Sequence, residues 1–128
     1  MATRNTQRQQ NILEVLSSDA YGEVGAQPYT APTVAYLLRF LGFEPEQPRT
    51  TTVRATLKRM AAKGMVAMVR VDAEVHTGLG VVTRSLDAYW NAETMAADAI
   101  RAQAWNDGAS QRQGAALDAF ASAFAKRP

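Results

Sequence analysis

Thr51-Thr52-Val53-Arg54-Ala55-Thr56-Leu57-Lys58-Arg59-Met60-Ala61-Ala62-Lys63-Gly64-Met65-Val66 reads as one short amphipathic helix running straight into a strand. At about 100° per residue, Val53, Leu57, Met60 and Ala61 gather on one helical face. Thr51, Ala55, Lys58, Arg59 and Ala62 fall on the opposite face, flanked by Thr52 and Arg54. The threonines from Thr50 to Thr52 predict a capped start. Gly64 predicts the stop, because glycine enters the left-handed conformation of a helix C-terminus without a Cβ penalty.

Between Arg49 and Arg70 the chain carries Arg49, Arg54, Lys58, Arg59, Lys63 and Arg70, and no Asp or Glu. The whole chain holds 14 basic and 12 acidic residues, so the remainder, with eight basic and twelve acidic, is net acidic. A concentrated positive patch on a mildly acidic body is the electrostatic footprint of a nucleic-acid binder. Basic outer faces and threonine-rich starts also occur on ordinary solvated helices, but those mix signs for i,i+4 pairing, and this one does not. Small Ala55 and Ala62 would let the helix approach a surface closely, while Lys58 and Arg59 could reach phosphate. The positive end of the helix dipole, near Thr51 and Thr52, adds to anion attraction.

Upstream, Ile12, Val15 and Leu16 share a helical face closed by Ser17, Ser18 and Asp19. Tyr21 to Tyr29, holding Gly22, Gly25 and Pro28, reads as a loop or irregular extended stretch. Thr30, with Pro32 in the first turn, opens a second helix in which Val34, Leu37, Leu38 and Leu41 follow at helical spacing as far as Gly42. Phe43 to Pro48 is a turn, since its two prolines cannot continue a helix. Downstream, Met65–Val71 and Leu79–Thr83 read as a valine-rich hairpin with Asp72–Gly78 as its loop. Thr83 would then cap a helix from Arg84 to about Trp105, broken at Asn106-Asp107-Gly108 and followed by a last helix. The order helix, helix, helix, hairpin, helix, helix predicts a mainly α fold with a small β-hairpin. That describes a winged helix-turn-helix followed by two C-terminal helices. The division is a polar segment 1–10, a winged-helix domain 11–84 and a C-terminal helical extension 85–128.

Thr52 to Val66 resembles the T-V-x-x-x-L-x-x-L-x-x-x-G-L-V run of winged helix-turn-helix transcription regulators, the MarR-like and PadR-like groups among them. Tyr29 to Ala35 resembles the start of their preceding helix, and the resemblance spans roughly Asn11 to Ala88. It implies that Thr51, Thr52, Arg54, Ala55 and Lys58 face base edges or nearby phosphates. It also implies that Arg70 and His76 occupy a wing reaching backbone or minor groove. The charge pattern adds Arg49, Arg59 and Lys63 as phosphate contacts.

Leu86, Tyr89, Trp90, Leu117, Phe120 and Phe124 present more apolar surface than two isolated helices could leave in water. They either fold back on the domain or pair with a second copy, and the expectation is a homodimer through them. With one histidine, no cysteine and no acid pair in a catalytic context, the chain is not expected to be an enzyme. Asp72, Glu74 and His76 are spaced like ligands on a strand but fall at the expected hairpin tip, so neither metal nor cofactor is anticipated. The polar N-terminus lacks the apolar region of a secretory signal, and no apolar run approaches the roughly 20 residues needed to span a bilayer. A cytoplasmic protein without membrane contact is expected, nucleoid-associated if it binds DNA. The function expected is sequence-specific binding of double-stranded DNA for transcriptional regulation, with helix 51–63 in the major groove. The alternative is an adaptor of the same fold that docks protein and not DNA.

Overall fold

A computed structural model describes residues 6–108. Helix α1 (Gln7–Leu16) begins in a capping box. The Thr6 hydroxyl accepts from the Gln9 amide at 3.1 Å, and the Gln9 side chain accepts from the Thr6 amide at 3.2 Å. Its Ile12, Val15 and Leu16 are fully buried, as their spacing requires. A single turn α2 (Tyr21–Val24) and a two-residue strand β1 (Tyr29–Thr30) occupy the stretch expected to be irregular. Helix α3 (Ala31–Phe40) follows, burying Val34, Leu37 and Leu38.

The turn between α3 and α4 (Thr50–Ala62) is tied down from α1, where the Arg8 guanidinium donates to both carboxylate oxygens of Glu44, one at 3.0 Å. Val53, Leu57 and Met60 on α4 are completely buried and belong to the same core cluster as the apolar residues of α1 and α3. Strands β2 (Val66–Thr77) and β3 (Gly80–Asn91) pair antiparallel through a two-residue turn at Gly78 and Leu79. The short β1 pairs with β3 on its other side, giving the order β1-β3-β2. Asn91 ends β3 and binds it to α1, donating to the Leu13 carbonyl at 3.2 Å. A fifth helix, α5, occupies residues 95–108 and lies against the end of α1 and α2. Arg101 donates to the Ser17 carbonyl at 3.1 Å, and the Trp105 ring meets Tyr21 edge-on with centroids 5.4 Å apart.

This architecture corrects the expected fold class. The chain is not mainly α with a small hairpin. It is α+β, with five helices and a three-stranded antiparallel sheet among the described residues, about half of it helical. The order of elements also departs from the winged helix-turn-helix expected, because a strand stands between the early helices and sheet replaces the first turns of the next helix. Asp72 to Gly78, expected as a loop, is strand as far as Thr77. Arg84 to Asn91, expected as helix, is strand as well, so the proposed boundary at residue 84 falls inside β3. Leu86 and Trp90 fit helical spacing, but Leu86, Ala88 and Trp90 alternate equally well. A ready partner strand provides cross-strand pairs for every residue from Gly80 to Asn91, and that pairing decides the outcome. The break expected at Asn106-Asp107-Gly108 is likewise absent, since these residues remain helical.

The two long strands form a ribbon about 40 Å in length. Its register places Tyr89, Arg70, Asp87, Asp72, Ser85, Glu74 and His76 on one face. Val69, Val71, Leu86, Val75, Val82 and Trp90 lie on the other. The polar face is continuous at its base with the core, through Val66, Tyr89 and Asn91, and is therefore the side shared with the helices.

The passage from α4 into β2 uses a backbone motif that the sequence did announce. Gly64 has a φ of +74°; its amide donates to the Ala61 carbonyl at 3.0 Å and the Met65 amide to the Met60 carbonyl at 2.9 Å. This is the Schellman arrangement. Nothing lies within 4 Å of a Cβ placed at Gly64, so a substitution there meets only the conformational penalty. Gly64→Ala is expected to destabilise the chain by about 1–2 kcal/mol in chemical denaturation, with the denaturant slope unchanged. An unaltered midpoint would show that the left-handed turn is not required.

Candidate nucleic-acid interface

The outer face of α4 is where the expected contact residues meet. Thr51, Thr52, Arg54, Ala55, Lys58, Arg59, Ala62 and Lys63 are all exposed. Arg49 stands at the N-cap and Lys63 at the C-cap, so the basic residues span the whole helix, about 20 Å. The threonine run does not cap the helix as expected. Arg49 holds the N-cap position, no side chain bonds to the first-turn amides, and no acid lies in that turn. The positive end of the helix dipole is thus left without an intrachain counter-charge in its first turn.

One member of the inward stripe was not anticipated. Thr56 is buried, its hydroxyl donates to the Thr52 carbonyl at 3.1 Å, and it accepts from the Arg59 guanidinium at 3.3 Å. Thr56 flanks the apolar stripe, where a threonine can satisfy its hydroxyl on the preceding turn and present its methyl group to the core.

The distribution of ion pairs separates α4 from the rest of the surface. Arg8 pairs with Glu44, Arg70 with Asp87 and Arg101 with Asp98. Arg49, Arg54, Lys58, Arg59 and Lys63 hold no ion pair among the described residues. Basic side chains that only solubilise a helix usually have acids within i,i+4 reach; here the nearest acids in sequence are Glu46 and Asp72.

The ribbon residues separate into two places. Arg70 lies near the base of β2, and its guanidinium donates to Asp87 on the facing strand at 2.9 Å. It stays exposed, yet its charge is already matched. His76 stands opposite Val81 beside the turn, about 20 Å farther along the ribbon, and does not join the α4 group. Asp72 and Glu74 are in mid-strand, not at the tip. With His76 they form a row, but no group of three or more His, Cys, Asp or Glu among the described residues converges as a metal site would need.

The residues expected at a dimer interface separate as well. Tyr89 is fully buried inside the domain, so it is not available to a second chain in this fold. Leu86 and Trp90 are half-buried on β3, on the apolar face of the ribbon. Leu117, Phe120 and Phe124 lie outside the described residues.

A cleft of about 240 Å³ opens between α4, the start of α3 and the base of the ribbon. Thr30, Arg54, Arg70, Ser85, Asp87 and Tyr89 supply its polar lining. The Tyr89 hydroxyl is the one buried side-chain polar atom without a hydrogen-bond partner among the described residues. Burial pushes its pKa up and the Asp87 carboxylate adds to that, while Arg54 opposes it. Of this cleft, reading the sequence found Arg54 and Arg70 only. The period-two alternation of Ser85, Asp87 and Tyr89 was the signal that would have placed the others on one sheet face.

Compared with family models, curated proteins and solved structures, the chain finds no match. No helix among the described residues is long and apolar enough to cross a membrane.

Proposed function

We propose that the protein binds double-stranded DNA through the outer face of α4 and acts as a sequence-specific regulator of transcription. One observation carries the reading: five basic residues, Arg49, Arg54, Lys58, Arg59 and Lys63, lie exposed along α4 without an acid partner among the described residues. A helix with small residues on its approach side fits a major groove about 12 Å wide. Thr51, Thr52, Arg54 and Lys58 would meet base edges or the nearest phosphates, and Arg49, Arg59 and Lys63 the flanking backbone. Arg70 contributes less than its charge suggests, because Asp87 already pairs with it.

Titration of the full chain against a labelled random-sequence duplex at two salt concentrations tests the reading. Micromolar-or-tighter binding that weakens steeply with salt is the expected result, since each neutralised phosphate contributes a slope of about −0.9 in log affinity against log salt. A selection from random duplexes would then return a preferred site. Absence of binding at low salt would remove the DNA reading and leave α4 as a docking surface for protein.

A further inference from the structure

Strand β2 is an open edge. Among the described residues it pairs only with β3, so one side of its backbone, from Val66 to Thr77, offers N–H and C=O groups to no strand. Edges of this length are usually spoiled for pairing by a bulge, a proline or lysines. β2 has none of these. It pairs with β3 residue for residue, from Val66 opposite Asn91 to Thr77 opposite Gly80, and its 12 residues include neither proline nor lysine. Since β1 reaches only Ala88 and Tyr89, the rest of the ribbon is two strands wide, an arrangement marginal in water by itself.

The side chains of β2 say which strand fits this edge. One face carries Arg70, Asp72 and Glu74, all exposed, and the other carries Ala67, Val69, Val71, Ala73 and Val75. A second β2 laid antiparallel along the edge, about a two-fold axis perpendicular to the sheet, centres on one residue. Centring on Arg70, Asp72 or Glu74 sets that charge opposite itself, and centring on Ala73 sets Asp72 opposite Glu74. Centring on Val71 sets Arg70 of each copy opposite Asp72 of the other. It also brings Val71 against Val71, Val69 against Ala73 and Ala67 against Val75. Arg70 has room for the second carboxylate, because its side chain stays 68% exposed while bonded to Asp87.

We propose that β2 pairs with β2 of a second copy of this chain in the register centred on Val71, joining the two sheets into one. The dimer stands without the DNA-binding reading of α4, and adds a spacing to it. α4 passes into β2 through Gly64 and Met65, and Val66 comes to lie opposite His76 of the partner subunit. The ends of the two α4 helices are therefore separated by the rise from Val66 to His76, about 34 Å at ~3.4 Å per residue. Because the axis is perpendicular to the sheet, both helical layers lie on one side of it. Successive major-groove faces of B-DNA are about 34–36 Å apart, so the dimer would offer one α4 to each.

The chain has no cysteine, so the register can be measured directly. In Val71→Cys the thiol meets its own copy across the axis, with Cα atoms about 4.5–5.5 Å apart, inside the range of a disulfide. In Ala73→Cys, on the same face and also half-buried, the two thiols lie about 14 Å apart along the strands. The experiment uses the full chain without DNA. Sedimentation at micromolar concentration is expected to show a dimer. Oxidised glutathione is expected to cross-link Val71→Cys nearly completely and Ala73→Cys hardly at all. Asp72→Arg, which faces neutral Ser85 in its own chain, should weaken the dimer about tenfold by setting arginine opposite arginine twice. A monomeric unmodified chain overturns the proposal. So does a dimer whose two cysteine variants cross-link alike, or one that Asp72→Arg leaves unchanged. None of these outcomes bears on the salt-dependent duplex binding by which the reading of α4 is tested.

Discussion

With Lys58 and Arg59 both replaced by alanine, duplex affinity is expected to fall roughly 60-fold near ~0.1 M salt, and the salt slope to flatten by about 1.8. Both residues are exposed on the outer face of α4. Neither has an acid partner among the described residues, so their removal strands no buried charge. Alanine is the best helix former, which offsets what Arg59 contributes to the dipole in the last turn, and stability should stay within about 0.5 kcal/mol. Arg59 also donates to Thr56, but that hydroxyl keeps its own bond to the Thr52 carbonyl. Anisotropy titrations over a salt series, beside a thermal melt, separate the two quantities. An unchanged slope would take this face out of the interface even if affinity changed, because counterion release counts phosphates directly.

The helix on which that prediction rests was legible in the sequence almost to the residue. Val53, Leu57 and Met60 recur at helical spacing and are buried, Gly64 stops the helix with the left-handed turn expected of it, and the basic residues are exposed. Helices α1 and α3 were equally plain, because Ile12, Val15 and Leu16, and Val34, Leu37 and Leu38, have no alternative period. The sheet was not. Arg84 to Asn91 satisfies both a helical and an alternating pattern, and only the presence of β2 alongside decides between them. A local reading weighs propensity within one segment and has no access to a partner some twenty residues away in sequence. The same blindness hid the cleft: Ser85, Asp87 and Tyr89 share a face only if the segment is a strand, and Tyr89 at helical spacing looked like a residue for a dimer. The length of the ribbon was missed for a simpler reason. Asp72, Glu74 and His76 look like loop residues by polarity, yet in the strand they are the exposed half of an alternation whose half-buried half is Val71, Ala73 and Val75.

Leu57→Ala is expected to have the opposite profile to the double alanine chain. Leu57 is completely buried in the cluster that joins α4 to α1 and α3, on the side of the helix away from Lys58 and Arg59. Truncating a leucine at such a site costs about 2–5 kcal/mol, through lost transfer energy and the cavity left behind. Domains of this size have about 5–15 kcal/mol in total, and each kcal/mol is worth roughly 4 °C in melting temperature, so a drop of at least about 8 °C is expected. Duplex affinity measured well below the transition should remain near that of the unmodified chain, because every charged group on α4 is kept and the backbone of a folded helix still presents it. The pair of variants therefore separates anchoring from contact: one loses stability and keeps binding, the other loses binding and keeps stability. If Leu57→Ala melted at the same temperature, Leu57 would not be packed in the core. The rotation of α4 that turns Arg54, Lys58 and Arg59 outward would then be wrong, and with it the surface on which DNA contact is placed.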